Sequence, residues 1–211
     1  MKNMEEVYNK DYIENSSFRK VYQTESLKRY EKLLSIIYST GVHNALDIGC
    51  SYGQLVEAMN KNGIETYGVE LPISVLMESH RELNNSEKFL YGSVNDDVFL
   101  HTLRVRSYDL ISLFHTLRYI KNPERLSLLS PKYFLIQEVS NNILLRYLRK
   151  NDISDGNYLW SPSNLLNAFP SYFVRSIWST KFLFKIDKPN MISSFFMNLL
   201  PTYTILLEKK L

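Results

Sequence analysis

The chain has 211 residues, with 25 Lys and Arg against 22 Asp and Glu, one cysteine and an apolar fraction of 45%. That length can bury a full core in one domain, and the apolar content excludes a disordered chain. The single cysteine excludes a disulfide scaffold or a cysteine-rich zinc module, and a net charge of +3 does not call for nucleic acid as a partner.

In chain order, the opening MKNMEEVYNK is charged and lacks the apolar stretch of a secretory signal, so a cytoplasmic protein is expected. Leu27, Tyr30, Leu34 and Ile37 form an amphipathic helix stripe, and Gly41 stands where a left-handed C-cap favours glycine. ALDIG (45–49) reads as a buried strand, and residues 54–62 as a helix stopped by Gly63. Strands follow at 65–70 and 88–93, with helices at 73–83 and 96–104. YDLISLF (108–114) is a fourth strand. Asn122-Pro123-Glu124 has the pattern of a helix start, with Asn as N-cap and Pro at the first position. KYFLIQEV (132–139) is a fifth strand, and Ser161-Pro162 opens a helix running to Phe169. Residues 172–178, 181–186 and 202–210 close the chain as strands. The alternation predicts a parallel sheet with helices on both faces, ending in antiparallel strands. Residues 1–40 form an N-terminal helical segment before one domain over 41–211. Residues 189–207 contain no charge over 19 positions, close to the ~20 that span a bilayer. Pro189, Asn190, Ser193, Ser194, Asn198, Pro201, Thr202 and Thr204 interrupt them, so a core hairpin is expected there.

The strongest chemical signal is Leu46-Asp47-Ile48-Gly49-Cys50-Ser51-Tyr52-Gly53, set between a strand and a helix. Glycine turns let a ligand approach the backbone, and a helix N-terminus offers N–H groups and positive potential. Glu70 ends the next strand, 21 residues after Gly49, where an acid can hydrogen-bond ribose hydroxyls. The dinucleotide pattern G-x-G-x-x-G fails at two of its three glycines, and no nucleoside-triphosphate loop G-x-x-x-x-G-K-[ST] is present.

What remains, D-x-G-x-S-x-G with a downstream acid, resembles class I S-adenosylmethionine-dependent methyltransferases, whose first motif is D/E-x-G-x-G-x-G. Ser51 replaces the central glycine and tightens the loop. The resemblance runs over about residues 5–140: ETYGVE looks like the second motif, and YDLISLFHTLRYIKNPERL like the fourth strand and its following segment. Leu117-Arg118-Tyr119 departs from the frequent Leu-Glu-His, and Ser130-Pro131-Lys132 from the usual Pro-Gly-Gly. The resemblance implies an α/β, three-layer Rossmann-like fold with a seven-stranded, mostly parallel sheet and an antiparallel C-terminal hairpin. It also implies S-adenosylmethionine as cofactor, released as S-adenosylhomocysteine. Asp47 then orients the loop and the amino-acid part of the cofactor. Gly49, Ser51 and Gly53 pack against it, Glu70 holds the ribose, and Leu71 covers the adenine. Ser93, Asn95 and Asp96 are alternative polar partners of the adenine. Residues 1–40 become a lid, with Tyr8 or Tyr12 reaching the sulfonium, where cation–π attraction helps; the alternative is an ordinary helix face.

Cys50 lies in the cofactor loop as a small filler rather than a nucleophile. His115, at the carboxyl end of the fourth strand, is the first candidate for a proton acceptor, with Tyr119 and Glu138 behind it. Asp109 opens that strand and reads as structural. His43, His80 and His101 have no partners at metal spacing and read as surface or capping residues; no metal is expected. Phe114-His115-Thr116-Leu117 stands where relatives that methylate exocyclic amines carry Asn/Asp-Pro-Pro-Tyr/Phe. The expected acceptor is therefore a small molecule, carbohydrate or lipid intermediate methylated on oxygen, and no specific nucleic acid. A monomer or homodimer fits.

Of 15 Tyr, 11 Phe and 2 Trp, many lie in the C-terminal stretch, including Tyr158, Trp160, Phe169, Tyr172, Phe173, Trp178, Phe182, Phe184, Phe195 and Phe196. Sheet core explains them directly. Residues 170–211 also carry six Lys/Arg against two Asp/Glu, so a membrane-peripheral interaction domain built on this end is one rival reading. A protein that binds S-adenosylmethionine without catalysis is the other.

Overall fold

The computed structural model describes residues 33–139, 160–179, 185–187 and 202–210. The chain divides into two compact units, 1–93 and 94–211. The break falls inside the segment read from sequence as one domain.

In the first unit, a helical stretch at 33–38 buries Leu33, Ile36 and Ile37, and Gly41 follows it at φ 69°. Residues 27–32 of the expected helix lie outside the described residues. Strand β1 (Asn44–Ile48) leads into helix α1 (Gln54–Lys61), β2 (Glu65–Glu70), α2 (Ser74–Arg81), a 3-10 turn (Ser86–Lys88) and β3 (Phe89–Tyr91). β1 pairs with β2 and β2 with β3, both parallel. β1 is apolar nearly throughout, as a strand covered on both faces must be: Ala45, Leu46 and Ile48 are buried. α1 turns Leu55, Val56 and Met59 inward. Asn60 on α1 donates to the carbonyls of Val56 and Thr66 and accepts from the Thr66 N–H, tying the helix to β2.

In the second unit, α3 (Asp97–Leu103) precedes β4 (Leu110–Phe114), a 3-10 turn (Leu117–Tyr119), a longer 3-10 segment (Pro123–Leu129) and β5 (Tyr133–Val139). α4 (Pro162–Ala168), β6 (Tyr172–Ser179), β7 (Lys185–Asp187) and β8 (Thr202–Lys209) complete it. The strand order is β4-β5-β8-β6-β7. β4 and β5 are parallel; β8 runs antiparallel to β5 and to β6, and β7 antiparallel to β6. The α/β alternation and the antiparallel end expected from sequence are both present, and the strand expected at 181–186 is represented among the described residues by the three-residue edge strand β7. The segment after Asn122 corrects an expectation. It begins with Pro123 as anticipated, but it is 3-10 rather than α, and Asn122 makes no side-chain cap. Its bonds run from i+3 to i, as from the Arg125 N–H to the Asn122 carbonyl. The Ser161 cap of α4 is as expected, accepting from the Asn164 N–H at 3.1 Å.

The C-terminal aromatics that the structure describes are chiefly core. Phe134 packs on Phe169 and Tyr172 at centroid distances of 4.7 and 4.9 Å. The Tyr172 hydroxyl donates to the Pro131 carbonyl and that of Tyr203 to the Trp160 carbonyl, so each buried ring keeps its polar end satisfied. Phe173 is the exposed member. Tyr158, Phe182, Phe184, Phe195 and Phe196 lie outside the described residues. Among the described residues no helix is long and apolar enough to cross a membrane.

Candidate functional site

In the first unit, β1 delivers Asp47, 4% exposed, to the edge of a loop built from three left-handed residues at alternate positions. Gly49 has φ 74°, Ser51 φ 52° and Gly53 φ 76°. Glycine meets this conformation at no steric cost, whereas the serine does not. The N–H groups of Gly49 and Cys50 both donate to the Val69 carbonyl, at 2.8 and 3.1 Å, anchoring the loop to β2. Gly53 is the N-cap of α1 and supplies no side-chain cap. A Cβ there would collide with the Phe89 ring, so the position needs glycine for packing as well as for φ. Gly68 is constrained in the same way: a Cβ would lie 2.8 Å from Cys50 Sγ and 2.9 Å from the Phe89 ring.

Glu70 closes the loop from below. Its Oε2 accepts from the Ser51 N–H at 2.7 Å and its Oε1 from the Leu71 N–H at 2.8 Å. Each carboxylate oxygen retains a second lone pair that a hydroxyl can use. Burial, more than those two bonds offset, raises its pKa above the ordinary carboxylate value. Cys50 is buried among Val56 and Phe89, and burial together with Glu70 and Asp47 pushes its thiol well up, away from the reactive thiolate. This is the environment of a packing residue.

These residues suit a nucleoside carrying an amino-acid tail. The Ser51 hydroxyl is buried in the loop with no hydrogen-bond partner among the described residues. A loop pared to glycine on either side of it leaves room for a ligand against the backbone. Leu71 and Ser93 are half-buried beyond the strand ends, and the Gly92 N–H next to Ser93 donates to the Glu70 carbonyl at 2.9 Å. Tyr12 and the rest of 1–32 lie outside the described residues.

In the second unit, His115 follows β4 with φ 58°, and its N–H donates to the Gln137 carbonyl at 2.8 Å. A non-glycine residue held in this region is uncommon and occurs disproportionately at functional positions. Glu138, 1% exposed, accepts from the Leu117 N–H through Oε1 and from Arg118 through Oε2, at 2.9 and 3.0 Å. Glu138 thus holds the turn after β4 in place. Tyr119 is half-buried with the Arg118 guanidinium 6.0 Å from its ring centre. Asn95 reaches the same turn: its Nδ2 donates to the Tyr119 carbonyl and its Oδ1 accepts from the Lys121 N–H. Asp96 is exposed and caps α3, accepting from the N–H groups of Val98 and Phe99.

Sequence reasoning missed one residue outright. His80, read as surface or capping, is fully buried beneath the loop. Its Nε2 lies 2.5 Å from the Ser51 carbonyl and its Nδ1 3.1 Å from the Tyr91 hydroxyl. The available signal was its position four residues after Leu76, on the buried face of α2. His43 and His101 are exposed. No group of three or more His, Cys, Asp or Glu among the described residues could hold a metal ion.

Several solved structures share the fold. The chain is similar to the plantazolicin methyltransferase BamL, in complex with a triazolic desmethylPZN analog and SAH, with a TM-score of 0.65 and 16% identity over 94% of this chain and 93% of that one. It is similar to magnesium protoporphyrin IX methyltransferase from Synechocystis PCC 6803 with bound SAH, with a TM-score of 0.61 and 12% identity over 95% and 97% of the two chains. A SAM-dependent methyltransferase from Archaeoglobus fulgidus gives 0.60 and 16% over 91% and 99%. No curated protein matches the chain. These likenesses establish the Rossmann-like α/β fold. A family model described as a methyltransferase domain matches residues 18–173, most of the chain, and the protein therefore belongs to that methyltransferase family.

Proposed function

We propose that the protein transfers a methyl group from S-adenosylmethionine to an oxygen of a small-molecule, carbohydrate or lipid-intermediate acceptor. The observation that carries the cofactor half is the Glu70 carboxylate, bonded to the Ser51 and Leu71 N–H groups with lone pairs remaining for two ribose hydroxyls. Asp47 meets the amino-acid end, and Gly49, Ser51 and Gly53 let it lie against the backbone. Leu71 covers the adenine, with Ser93 following the adjacent strand β3. Asn95 and Asp96, the alternative adenine partners, also fix the turn after β4 and cap α3.

When bound, the cofactor would supply a methyl group activated by its positively charged sulfur, and Asp47, Gly49, Ser51, Gly53 and Glu70 would hold it. The protein's work is to orient the acceptor and exclude water. His115 accepts the proton that the hydroxyl releases. Its left-handed backbone, pinned to Gln137, fixes where the ring starts from β4. Glu138 and Arg118 act through the turn they hold, as positioning residues, and Tyr119 lines the acceptor side.

Incubation with methyl-labelled S-adenosylmethionine and fractionated small molecules, glycans and lipids tests the reading. Label in an O-methyl product is expected, and His115→Asn, which tolerates the left-handed backbone, lowers kcat by about 10²-fold or more while S-adenosylhomocysteine affinity is kept. Label on nucleic acid or on nitrogen overturns the acceptor assignment, and an unchanged kcat removes His115 from catalysis.

A further inference from the structure

Ser51 is gripped at both of its backbone polar groups. Its N–H is bound by Glu70 at 2.7 Å, and its carbonyl lies 2.5 Å from His80 Nε2. Ser51 stands where the motif would have glycine, at φ 52°, a conformation a side chain disfavours. An outside restraint is therefore needed to hold it, and α2 provides one. His80 stacks on Phe89 at 3.9 Å with the rings within 10° of parallel. Phe89 in turn fills the space left by the missing Cβ of Gly53 and Gly68. Imidazole, aromatic ring and glycine loop thus pack as one stack.

The chemistry fixes the tautomer. A carbonyl can only accept, so Nε2 carries the proton and donates to Ser51. Burial disfavours the imidazolium, leaving a neutral ring whose Nδ1 accepts from the Tyr91 hydroxyl. The Ser51 carbonyl thus selects the tautomer, and Tyr91, partly buried at the end of β3, satisfies the remaining ring nitrogen.

We propose that His80, its free ring nitrogen satisfied by Tyr91, is a positioning residue that holds the left-handed Ser51 backbone in the conformation that binds cofactor. The inference rests on the cofactor reading above and assigns a role to two residues outside the loop. It also explains how this chain keeps a working loop with serine at a glycine position.

The test uses the full chain and S-adenosylhomocysteine as probe, measured by calorimetry, with no turnover required. His80→Leu is expected to weaken binding about tenfold, the scale of one lost hydrogen bond, and His80→Gln, which restores a donor near the Nε2 position, to recover most of it. Ser51→Gly in the His80→Leu background should recover part of the loss, because glycine needs no restraint at this φ. Tyr91→Phe, which removes one oxygen atom, should give a smaller loss. Nitrogen-15 NMR of the wild type should show the Nε2–H tautomer of His80 at neutral pH, a reading available even if His80→Leu fails to fold. Wild-type binding with no loss in folded His80→Leu, or an Nδ1–H tautomer, overturns the proposal. Wild type that does not bind the probe overturns the cofactor reading instead.

Discussion

The Ser51 N–H and the Glu70 carboxylate meet at 2.7 Å across 19 positions of sequence. One acid thus shapes the loop, and the proposed cofactor reading makes the same carboxylate the ribose partner. Its raised pKa gives this arrangement a pH signature. Protonation removes an acceptor, so affinity for S-adenosylhomocysteine falls as pH drops through the folded-state pKa of Glu70. That fall comes at a higher pH than for an ordinary glutamate. Folding stability moves the other way. Between the unfolded value near 4.5 and the raised folded value the native state holds more protons, so stability declines as pH rises through that window and levels off above it. Calorimetric titration against pH checks the first statement, and Glu70→Gln should lack the acid limb.

Gly53 is held by two constraints at once, φ 76° and the Phe89 ring. Gly53→Ala is expected to cost about 2–4 kcal/mol, combining a left-handed penalty with overpacking. Adding Phe89→Leu should cost less than the sum of the single changes, because the larger ring is what the new methyl strikes. Urea denaturation of the four proteins measures the coupling.

The buried pair of Glu138 and Arg118 gives a third expectation. Side-chain exposures of 1% and 17% place it where removing one partner strands the other. Glu138→Ala should destabilise by about 3–5 kcal/mol, and the double variant with Arg118→Leu should recover part of that. A double-mutant cycle by thermal denaturation reads the interaction directly.

The loop geometry was legible because its pattern is local. Asp47, Gly49 and Gly53 stand at fixed spacing, and Glu70 follows at the length of one strand–helix–strand unit. His80 was not legible, because its role depends on packing 29 residues away from Ser51. The grip of Glu138 on Leu117 and Arg118 joins a strand to a turn about twenty residues earlier, which no local pattern announces. Asp96 follows β3 as an adenine partner would, and its capping of α3 was equally open to view, since an acid at that place suits an N-cap. The 3-10 geometry after Asn122 was hidden for a related reason, since Asn-Pro-Glu opens either kind of helix. The aromatic excess resolved toward core wherever a hydroxyl found a carbonyl, as at Tyr172 and Tyr203.

Cofactor binding is the claim on which the rest depends, and calorimetric titration of the wild-type chain with S-adenosylhomocysteine tests it most directly. Saturable one-site binding is predicted, reduced by Asp47→Ala and lost when Glu70→Ala is added. No heat of binding to a folded wild-type protein would contradict the account.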